Sequence, residues 1–284
     1  MAHVVSAPTP PFQSGSGSFE VHQIPAAQDN LIWLLVCTRT GAAAVVDGPD
    51  AGGVLQYAGQ RGIKLTHVLN THTHGDHIGV NRELAQRGLL GGLEVIGPAK
   101  VADQVPGLTT PADDGDTIEV GACRARVMRT EGHIEGHICF VFEDVLFSGD
   151  TLFAGGCGRV FTGDYRAMHA GLTRLAALDA HTRVCCAHEY TEDNLRFARS
   201  VEPDNRALEA RWLAVREIRA AGGSTVPSRI GEERATNPML RTDSPSLIAQ
   251  LRAQAPGADL SSPLGVFTAT RKLKDGGAYK QRAI

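Results

Sequence analysis

The feature that most constrains the fold is a dense group of polar side chains directly after an apolar segment. The stretch KLTHVLN is followed by THTHGDH, which places three histidines and one aspartate within six residues. Irregular backbone at a strand-to-helix turn can bring several such side chains to one point. We therefore expect such a turn here, carrying His72, His74, Asp76 and His77.

The side-chain chemistry of this group indicates a metal site. Imidazole and carboxylate ligands together favour zinc, iron or manganese, whereas calcium and magnesium bind mainly through oxygen. Four ligands within one hexapeptide suggest two adjacent ions. The alternative is a group of solvated side chains in a polar loop, and the H-x-H-x-D-H spacing after an apolar strand argues against it.

Three further candidates have the same setting, a metal-binding side chain at the end of an apolar strand. They are His133 after RARVMRTEG, Asp150 at the end of DVLFSGD and His188 at the end of TRVCCAH. Each one alone has a structural interpretation, but together they fit a site completed from several strand ends. The segment EGHIEGH also contains His137, and spacing alone leaves the choice between His133 and His137 open.

The order of apolar runs and turn signals predicts an α/β fold. LIWLLVC and AAAVV read as buried strands, helical periodicity separates the runs, and two sheets with outer helices fit the pattern. After His188 the remaining segments show helical periodicity and little strand pattern. We therefore predict a flexible Pro-, Ser- and Gly-rich leader at 1–18, a main domain at 19–188 and a smaller helical domain at 189–284.

Composition narrows the class of protein. A chain with 42% hydrophobic and 21% charged residues is ordinary for a globular protein, and its apolar runs are far shorter than a membrane-spanning helix. A formal net charge of -3 does not indicate an extended nucleic-acid surface. The six cysteines form no CxxC pair and fall mostly in apolar segments, which favours buried reduced thiols and a cytoplasmic protein. No export signal is evident.

These motifs resemble those of the metallo-β-lactamase superfamily and, more narrowly, the glyoxalase II family of hydroxyacylglutathione hydrolases. The H-x-H-x-D-H motif with its later His, Asp and His carries the first resemblance. SGDTLFAGGCGRVFTGD, AHEYTEDNLRFARSVEPDN, TNPMLR and RKLKD carry the second, which spans roughly Phe19 to Asp275. The resemblance implies an αββα sandwich with a metal site at its rim, followed by the smaller helical domain.

The resemblance also implies a role for each polar side chain at the strand ends. The implied ligands of one ion are His72, His74 and His133, those of a second ion are Asp76, His77 and His188, and Asp150 bridges the two. Asp47 would support the ligands from behind, although its place before Gly48 and Pro49 also suits a turn. Two divalent ions are expected, with zinc preferred and iron or manganese as alternatives.

The implied activity is hydrolysis of the thioester S-D-lactoylglutathione to D-lactate and glutathione, in methylglyoxal detoxification. A hydroxide bridging the two ions would attack the carbonyl carbon, with Asp76 and Asp150 as catalytic groups. A thiolate leaves readily because the pKa of an ordinary thiol lies near 8.5. The alternative is a mononuclear iron persulfide dioxygenase of the same superfamily, acting on glutathione persulfide.

Residues for the glutathione part are implied in the same way. The positions that match family contacts are Arg159, Tyr190, Arg271 and Lys274. Without the resemblance, Arg271 and Lys274 would read as a solvated basic tail. Three departures from the family pattern are Ile134 for threonine, Val80 for glycine and Phe161 for the tyrosine of some members. We expect a monomer that binds this small molecule and neither nucleic acid nor membrane.

Overall fold

The computed structural model describes residues 3–281 and contains two large sheets. The first has seven strands in sequence order across the sheet. They are β1 (Phe12–Gln13), β2 (Phe19–Ala26), β3 (Asn30–Cys37), β4 (Ala43–Val46), β5 (Leu65–Leu69), β6 (Glu94–Pro98) and β7 (Thr110–Ala112). Strands β1 to β4 pair antiparallel, and β4 to β7 run parallel to one another.

The second sheet has six strands. They are β8 (Thr117–Val120), β9 (Cys123–Arg129), β10 (Ile138–Phe142), β11 (Val145–Gly149), β14 (Arg183–Cys186) and β15 (Ser228–Arg229). Their order across the sheet is β15-β14-β11-β10-β9-β8, and β11 with β14 is its parallel pair. Between β11 and β14, a short hairpin joins β12 (Leu152–Phe153) to β13 (Gly156–Cys157).

The side chains of β3 show how the layers form. Trp33 and Leu35 lie in the core between the two sheets, together with Phe147 of β11. Ile32 and Leu34 point to the opposite face and belong to the cluster beneath the helices. Successive side chains of a strand face opposite sides, so a strand that is apolar at every position must be covered on both faces.

Eight helices complete the described fold. They are α1 (Gly52–Gln60), α2 (Gly79–Gln86), α3 (Tyr165–Ala176), α4 (Thr191–Val201), α5 (Arg206–Ala220), α6 (Ile230–Thr236), α7 (Pro245–Gln254) and α8 (Pro263–Asp275). Helices α1 and α2 pack on the outer face of the first sheet, and α3, α7 and α8 join the outer cluster of the second. This αββα arrangement with additional C-terminal helices confirms the predicted fold class.

Local signals explain where several helices begin. Asp164 accepts a hydrogen bond from the backbone N–H of Ala167 at the start of α3. Ser262 does the same for Gly265 at the start of α8, where Pro263 takes the first helical position. A side-chain acceptor satisfies an N–H that has no partner within the helix, and proline suits the first turn. These starts lie where the sequence places Asp or Ser-Pro.

The C-terminal segment also contributes to the second sheet. Strand β15 pairs with Arg183 and Val184 of β14, whereas the sequence after His188 showed little strand pattern. A strand of two residues is too short to show alternation, so no periodicity could reveal it.

Residues 3–18 pack against the rest of the protein, where a flexible leader was predicted. Thr9 Oγ1 donates to the carbonyl oxygen of Val226 at 2.6 Å, and Ala7 forms a bridge with Gly223. Val5 is buried, and β1 extends the first sheet. The partners lie more than 200 residues away along the chain, so local composition could not indicate them.

All six cysteines are buried with free thiols, as the sequence indicated. Burial raises the pKa of the Cys139 and Cys186 thiols to about 12, which keeps both protonated near neutral pH. Within residues 3–281, no helix has the length and apolar character needed to cross a membrane.

Candidate metal centre

The predicted ligands meet at one edge of the two sheets. Four of them lie in the loop after β5, and the others follow β9, β11 and β14. Strands β9, β11 and β14 run in the same direction, because β10 is antiparallel to both β9 and β11 while β14 is parallel to β11. Their carboxyl ends therefore share one edge, which brings together His72, His74, Asp76, His77, His133, Asp150 and His188.

His72, His74 and His133 form one group, called here the histidine triad. His74 Nδ1 lies 3.1 Å from His72 Nε2 and 3.0 Å from His133 Nε2. Asp150 Oδ2 lies 3.4 Å from His133 Nε2. Three ring nitrogens and one carboxylate oxygen thus surround a common point.

Asp76, His77 and His188 form the second group, called here the aspartate triad. Asp76 Oδ2 lies 3.6 Å from His77 Nε2 and 3.4 Å from His188 Nε2. Asp150 Oδ1 lies 3.4 Å from each of the same two nitrogens. Asp150 therefore directs one oxygen to each triad.

These separations fit bound divalent ions. Two donor atoms that each lie about 2.0–2.1 Å from a tetrahedral zinc ion are about 3.3 Å apart. The donor separations given above lie between 3.0 and 3.6 Å. Among the described residues, His77 Nε2 and Asp150 Oδ1 are buried without a hydrogen-bond partner, a costly state that an ion would relieve. The cluster is suited to binding metal ions.

Asp47 lies behind the cluster at the end of β4. Its carboxylate accepts hydrogen bonds from the backbone N–H of Thr71 at 2.8 Å and from Thr71 Oγ1 at 2.7 Å. Asp47 Oδ2 also lies 3.0 Å from His77 Nδ1, and Thr71 Oγ1 lies 3.0 Å from His72 Nδ1. Asp47 has a φ of +54°, a strained conformation for a residue other than glycine, and these contacts hold it in place.

Asp29 and Asn30 also contact the cluster, and the sequence analysis missed both. Asp29 Oδ1 lies 2.8 Å from His188 Nδ1, and Asn30 Nδ2 donates to Asp76 Oδ2 at 3.1 Å. They stand at the start of β3, whereas the predicted site residues follow strands. Because β3 is antiparallel to β4, its start lies at the edge where β4 ends. The signal that sequence analysis could have used is this pair of polar residues directly before the apolar run LIWLLVC.

The structure separates His133 from His137. His133 directs Nε2 toward Asp150 Oδ2, within the ligand cluster. His137 is fully buried and its ring stacks on that of His72, with centroids 4.7 Å apart. Its Nε2 accepts a hydrogen bond from the backbone N–H of Asp150 at 3.1 Å, so the lone pair a metal ion would need is already engaged. His137 lies behind the cluster.

The electrostatic setting differs between the triads. Burial and the neighbouring imidazoles hold the pKa of His72 well below its ordinary value, and burial also lowers the pKa of His133. Burial favours neutral His188 too, but the Asp150 and Asp29 carboxylates outweigh it and raise its pKa to about 10. Metal ions bind neutral imidazole, so an ion entering the aspartate triad would displace a proton from His188, and the carboxylates that hold this proton would attract a divalent ion more strongly.

Two of the predicted substrate residues, Arg159 and Tyr190, lie beside the cluster. The Tyr190 ring stacks on the His188 ring at a centroid distance of 4.8 Å, and its hydroxyl donates to Asp29 at 3.3 Å. The Arg159 side chain is exposed, with its Nε 3.4 Å from Asp275 Oδ1. The carbonyl oxygen of Arg159 contacts the cluster at 2.8 Å from His133 Nδ1. Substrate contact by Arg159 and Tyr190 stays a prediction.

The other two, Arg271 and Lys274, are bonded inside the protein, with Arg271 buried and 9% of the Lys274 side chain exposed. Arg271 donates to the Cys157 carbonyl oxygen at 2.9 Å and to Asp275 at 2.8 Å, and Lys274 Nζ donates to Asp193 at 3.3 Å. Burial lowers the pKa of Lys274 to about 8, although Asp193 opposes the shift. The alternative of a solvated basic tail is therefore wrong. Substrate contact by these two residues stays a prediction.

A glycine and an aromatic side chain shape the open side of the histidine triad. A Cβ at Gly158 would lie 2.0 Å from the Asp150 carbonyl oxygen and 2.8 Å from His133 Nδ1, so the loop requires glycine there. Phe161 is 60% exposed, and its ring lies 5.7 Å from that of His74 and 5.3 Å from that of His133. It forms an apolar wall beside the triad.

Comparison with known proteins assigns the class that this fold and site define. The metallo-β-lactamase superfamily model matches residues 29–188, and the model of the hydroxyacylglutathione hydrolase C-terminus matches residues 189–277. A solved metallo-β-lactamase from Staphylococcus aureus subsp. aureus COL shares the fold, with a TM-score of 0.59 and 19% identity over 92% of this chain and 72% of that one. The protein is a member of the metallo-β-lactamase superfamily.

Full-length relatives identify the narrower family. A hydroxyacylglutathione hydrolase of Methylococcus capsulatus (strain Bath) is 46% identical over 258 residues, which cover 90% of this chain and 98% of the relative. One of Rhodospirillum rubrum is 44% identical over 260 residues, with 91% and 98% covered. The chain belongs to the hydroxyacylglutathione hydrolase family, which confirms the resemblance noted in its sequence.

Proposed function

We propose that the protein hydrolyses the thioester of S-D-lactoylglutathione, and of related S-2-hydroxyacylglutathiones, to the hydroxy acid and glutathione. In the cell this reaction would serve methylglyoxal detoxification. The observation that carries the proposal is a pair of ligand triads sharing Asp150, in a chain whose full-length relatives are named hydroxyacylglutathione hydrolases.

Two divalent ions would complete the site, one in each triad, with Asp150 contacting both. Zinc suits ligand sets that mix imidazole and carboxylate, and iron and manganese are the alternatives. When bound, such a pair of ions lowers the pKa of a water molecule toward about 7 and polarises a carbonyl oxygen.

Asp76 is the carboxylate of the site best placed to orient the attacking water. Its side chain is 42% exposed, against 10% for Asp150. Although burial opposes ionisation, the contacts with His188 and His77 hold the pKa of Asp76 well below its ordinary value. Asp76 is therefore a carboxylate at neutral pH and would accept a hydrogen bond from water at the mouth of the site.

The leaving group explains why a thioester suits this site. A thiolate departs with little protonation, because the pKa of an ordinary thiol is near 8.5. The site does not require a cysteine or serine nucleophile. Cys157 is buried and burial raises the pKa of its thiol, which supports a packing role in the glycine-rich loop.

The glutathione part would lie along Arg159 and Tyr190. Glutathione carries two carboxylates, and the exposed guanidinium of Arg159 offers a planar pair of donors for one of them. We retain Arg271 and Lys274 as substrate contacts, in which glutathione carboxylates would replace Asp275 and Asp193 as their acceptors. Phe161 would then face the acyl group.

We further propose a monomer that works in the cytoplasm and binds neither nucleic acid nor membrane. Six buried free thiols suit a reducing compartment. The formal net charge of -3 supports a small-molecule substrate over a polyanion.

The test compares thioesters on zinc-loaded protein. S-D-lactoylglutathione should be hydrolysed much faster than S-D-lactoyl-N-acetylcysteamine, because the shorter thiol carries no carboxylate. Glutathione persulfide with iron-loaded protein in an oxygen electrode tests the dioxygenase alternative. Oxygen uptake without thioester loss would reject the hydrolase.

A further inference from the structure

Asp29 and Asn30 contact only part of the ligand cluster. Asp29 Oδ1 lies 2.8 Å from His188 Nδ1, and Asn30 Nδ2 donates to Asp76 Oδ2 at 3.1 Å. The backbone reinforces this arrangement, because Asn30 forms an antiparallel bridge with His188 and the Glu189 N–H donates to the Asp29 carbonyl oxygen at 2.9 Å. The two residues thus fix two of the three members of the aspartate triad.

The ring nitrogens that face away from the cluster have different partners in the two triads. In the aspartate triad, His188 Nδ1 faces the Asp29 carboxylate and His77 Nδ1 faces the Asp47 carboxylate at 3.0 Å. In the histidine triad, His72 Nδ1 lies 3.0 Å from the Thr71 hydroxyl, and His133 Nδ1 donates to the Arg159 carbonyl oxygen at 2.8 Å. One triad is backed directly by carboxylates and the other by neutral groups.

This difference should make the two triads unequal as metal sites. A carboxylate behind an imidazole fixes the ring orientation and makes the ligating nitrogen more basic. The aspartate triad also supplies a negative ligand of its own, Asp76, whereas the members of the histidine triad are neutral imidazoles. Asp150 serves both triads and so does not favour either one.

We propose that Asp29 and Asn30 are positioning residues for the aspartate triad, and that this triad binds its divalent ion more tightly than the histidine triad and fills first. The inference rests on the proposed function, since it assumes that each triad holds an ion. Asp29 and Asn30 contribute to the order of loading from outside the ligand set.

The order of filling is tested by equilibrium zinc titration of metal-free protein against a competing chromophoric chelator. Wild-type protein should show a tight and a weak step. His74→Ala, which removes a ligand of the histidine triad, should keep the tight step and lose the weak one. His188→Ala should do the reverse. A tight step that survives in His188→Ala and disappears in His74→Ala would overturn the inference.

The positioning role is tested with Asp29→Asn, which keeps an oxygen acceptor for His188 Nδ1 and removes only the charge. Its tight step should weaken by about 10- to 100-fold, the usual effect of losing such a partner, with the weak step unchanged. Asp29→Ala should weaken it further. The matched control is Asp164→Asn at the start of α3, because asparagine and aspartate cap helices equally well.

The positioning role, the order of loading and the proposed function can each fail separately. A merely structural role for Asp29 would lower the unfolding midpoint of the metal-free variant and leave both zinc steps as in wild type, which overturns the positioning role. Asn30→Ala provides a second variant, and it should weaken the tight step by removing the donor to Asp76. Wild-type protein that binds no zinc would overturn the proposed function, whereas two equal zinc steps would overturn the order of loading alone.

Discussion

At the scale of single residues, the centre depends on one carboxylate placed between two sets of ligands. Asp150 Oδ1 faces His77 and His188, and its Oδ2 faces His133. The backbone N–H of Asp150 donates to His137 Nε2, which further restrains the position of the carboxylate. A side chain with two equivalent oxygens is the one kind that can serve both triads in this way.

Asp150→Asn should therefore reduce kcat for the thioester by about 100-fold or more, since losing even an outer partner of a metal ligand costs about 10- to 100-fold. The amide leaves one oxygen for two ions, so the bound zinc should fall from two ions toward one. Steady-state kinetics with metal analysis measures both. Asp164→Asn is the matched control, and an Asp150→Asn variant as active as this control would contradict the bridging role.

Lys274 should make the unfolding free energy of the substrate-free protein depend on pH. Its folded pKa is about 8, below the ordinary value of 10.5. Between these two values the unfolded chain holds a proton that the folded chain has lost, so stability rises with pH. From pH 7.5 to 9.5, wild type should gain about 2 kcal/mol of unfolding free energy relative to Lys274→Met. Urea unfolding at both pH values checks this, and a constant difference would contradict it.

The residues of the site were only partly predictable from sequence. His72, His74 and Asp76 stand in a dense motif that composition alone would rarely produce. His133 and His137 could not be distinguished, because both follow β9 and only the fold decides which nitrogen faces Asp150. Asp29 escaped notice because its function depends on β3 being antiparallel to β4.

At the scale of elements, the packing of α2 on the loop after β4 positions part of the site. The N–H of Val80 donates to the Gly48 carbonyl oxygen at 3.0 Å, and a Cβ at Gly79 would lie 1.8 Å from the Pro49 carbonyl oxygen. This loop directly follows Asp47, and α2 directly follows the ligand loop. Because these two backbone segments pack closely, the position of Asp47 is tied to the position of the ligand loop.

Gly79→Ala should lower the unfolding free energy by about 1–3 kcal/mol, because the backbone must shift to admit the methyl group. It should also weaken zinc binding. Gly59→Ala in α1 is the matched control, since its Cβ would meet no atom within 4 Å, and it should be neutral or stabilising by about 0.5–1 kcal/mol. Urea unfolding of metal-free protein measures both variants. Equal effects would contradict the close packing.

Elements with many residues were predictable, and very short ones were not. The helical periodicity after His188 corresponds to α4 and α5, and the apolar runs LIWLLVC, AAAVV and KLTHVLN correspond to β3, β4 and β5. Strands β1 and β15 have two residues each and exist through pairing with distant strands. Their hydrogen bonds belong to the tertiary structure, which a local sequence pattern does not reveal.

At the scale of the whole molecule, the C-terminal helices complete the second half of the sandwich. Residues from both sides of His188, including Met168, Leu172, Phe197 and Phe267, share one buried cluster. Glu233 is fully buried and accepts a hydrogen bond from the N–H of Gly155 at 2.8 Å. The order of strands and helices indicated two sheets with outer helices, but not that the second sheet and its helices bury these groups.

A fragment ending at His188 should therefore fail to fold by itself. It would expose the apolar outer face of the second sheet and leave β14 without β15 as its neighbour. Expression and gel filtration of residues 1–188 beside the full chain should give aggregated fragment. A monodisperse fragment with a cooperative thermal transition would show that the main domain is independent.

The proposal that the protein is a metal-dependent thioester hydrolase can be tested with one rate. S-D-lactoylglutathione loss should be measured with purified protein, again after chelation, and again after zinc, iron or manganese is restored. Loss should be fast, abolished by chelation and recovered when metal is restored, with activity following the number of ions bound. Undiminished hydrolysis by protein shown to be metal-free, or no hydrolysis by protein holding two ions, would contradict it.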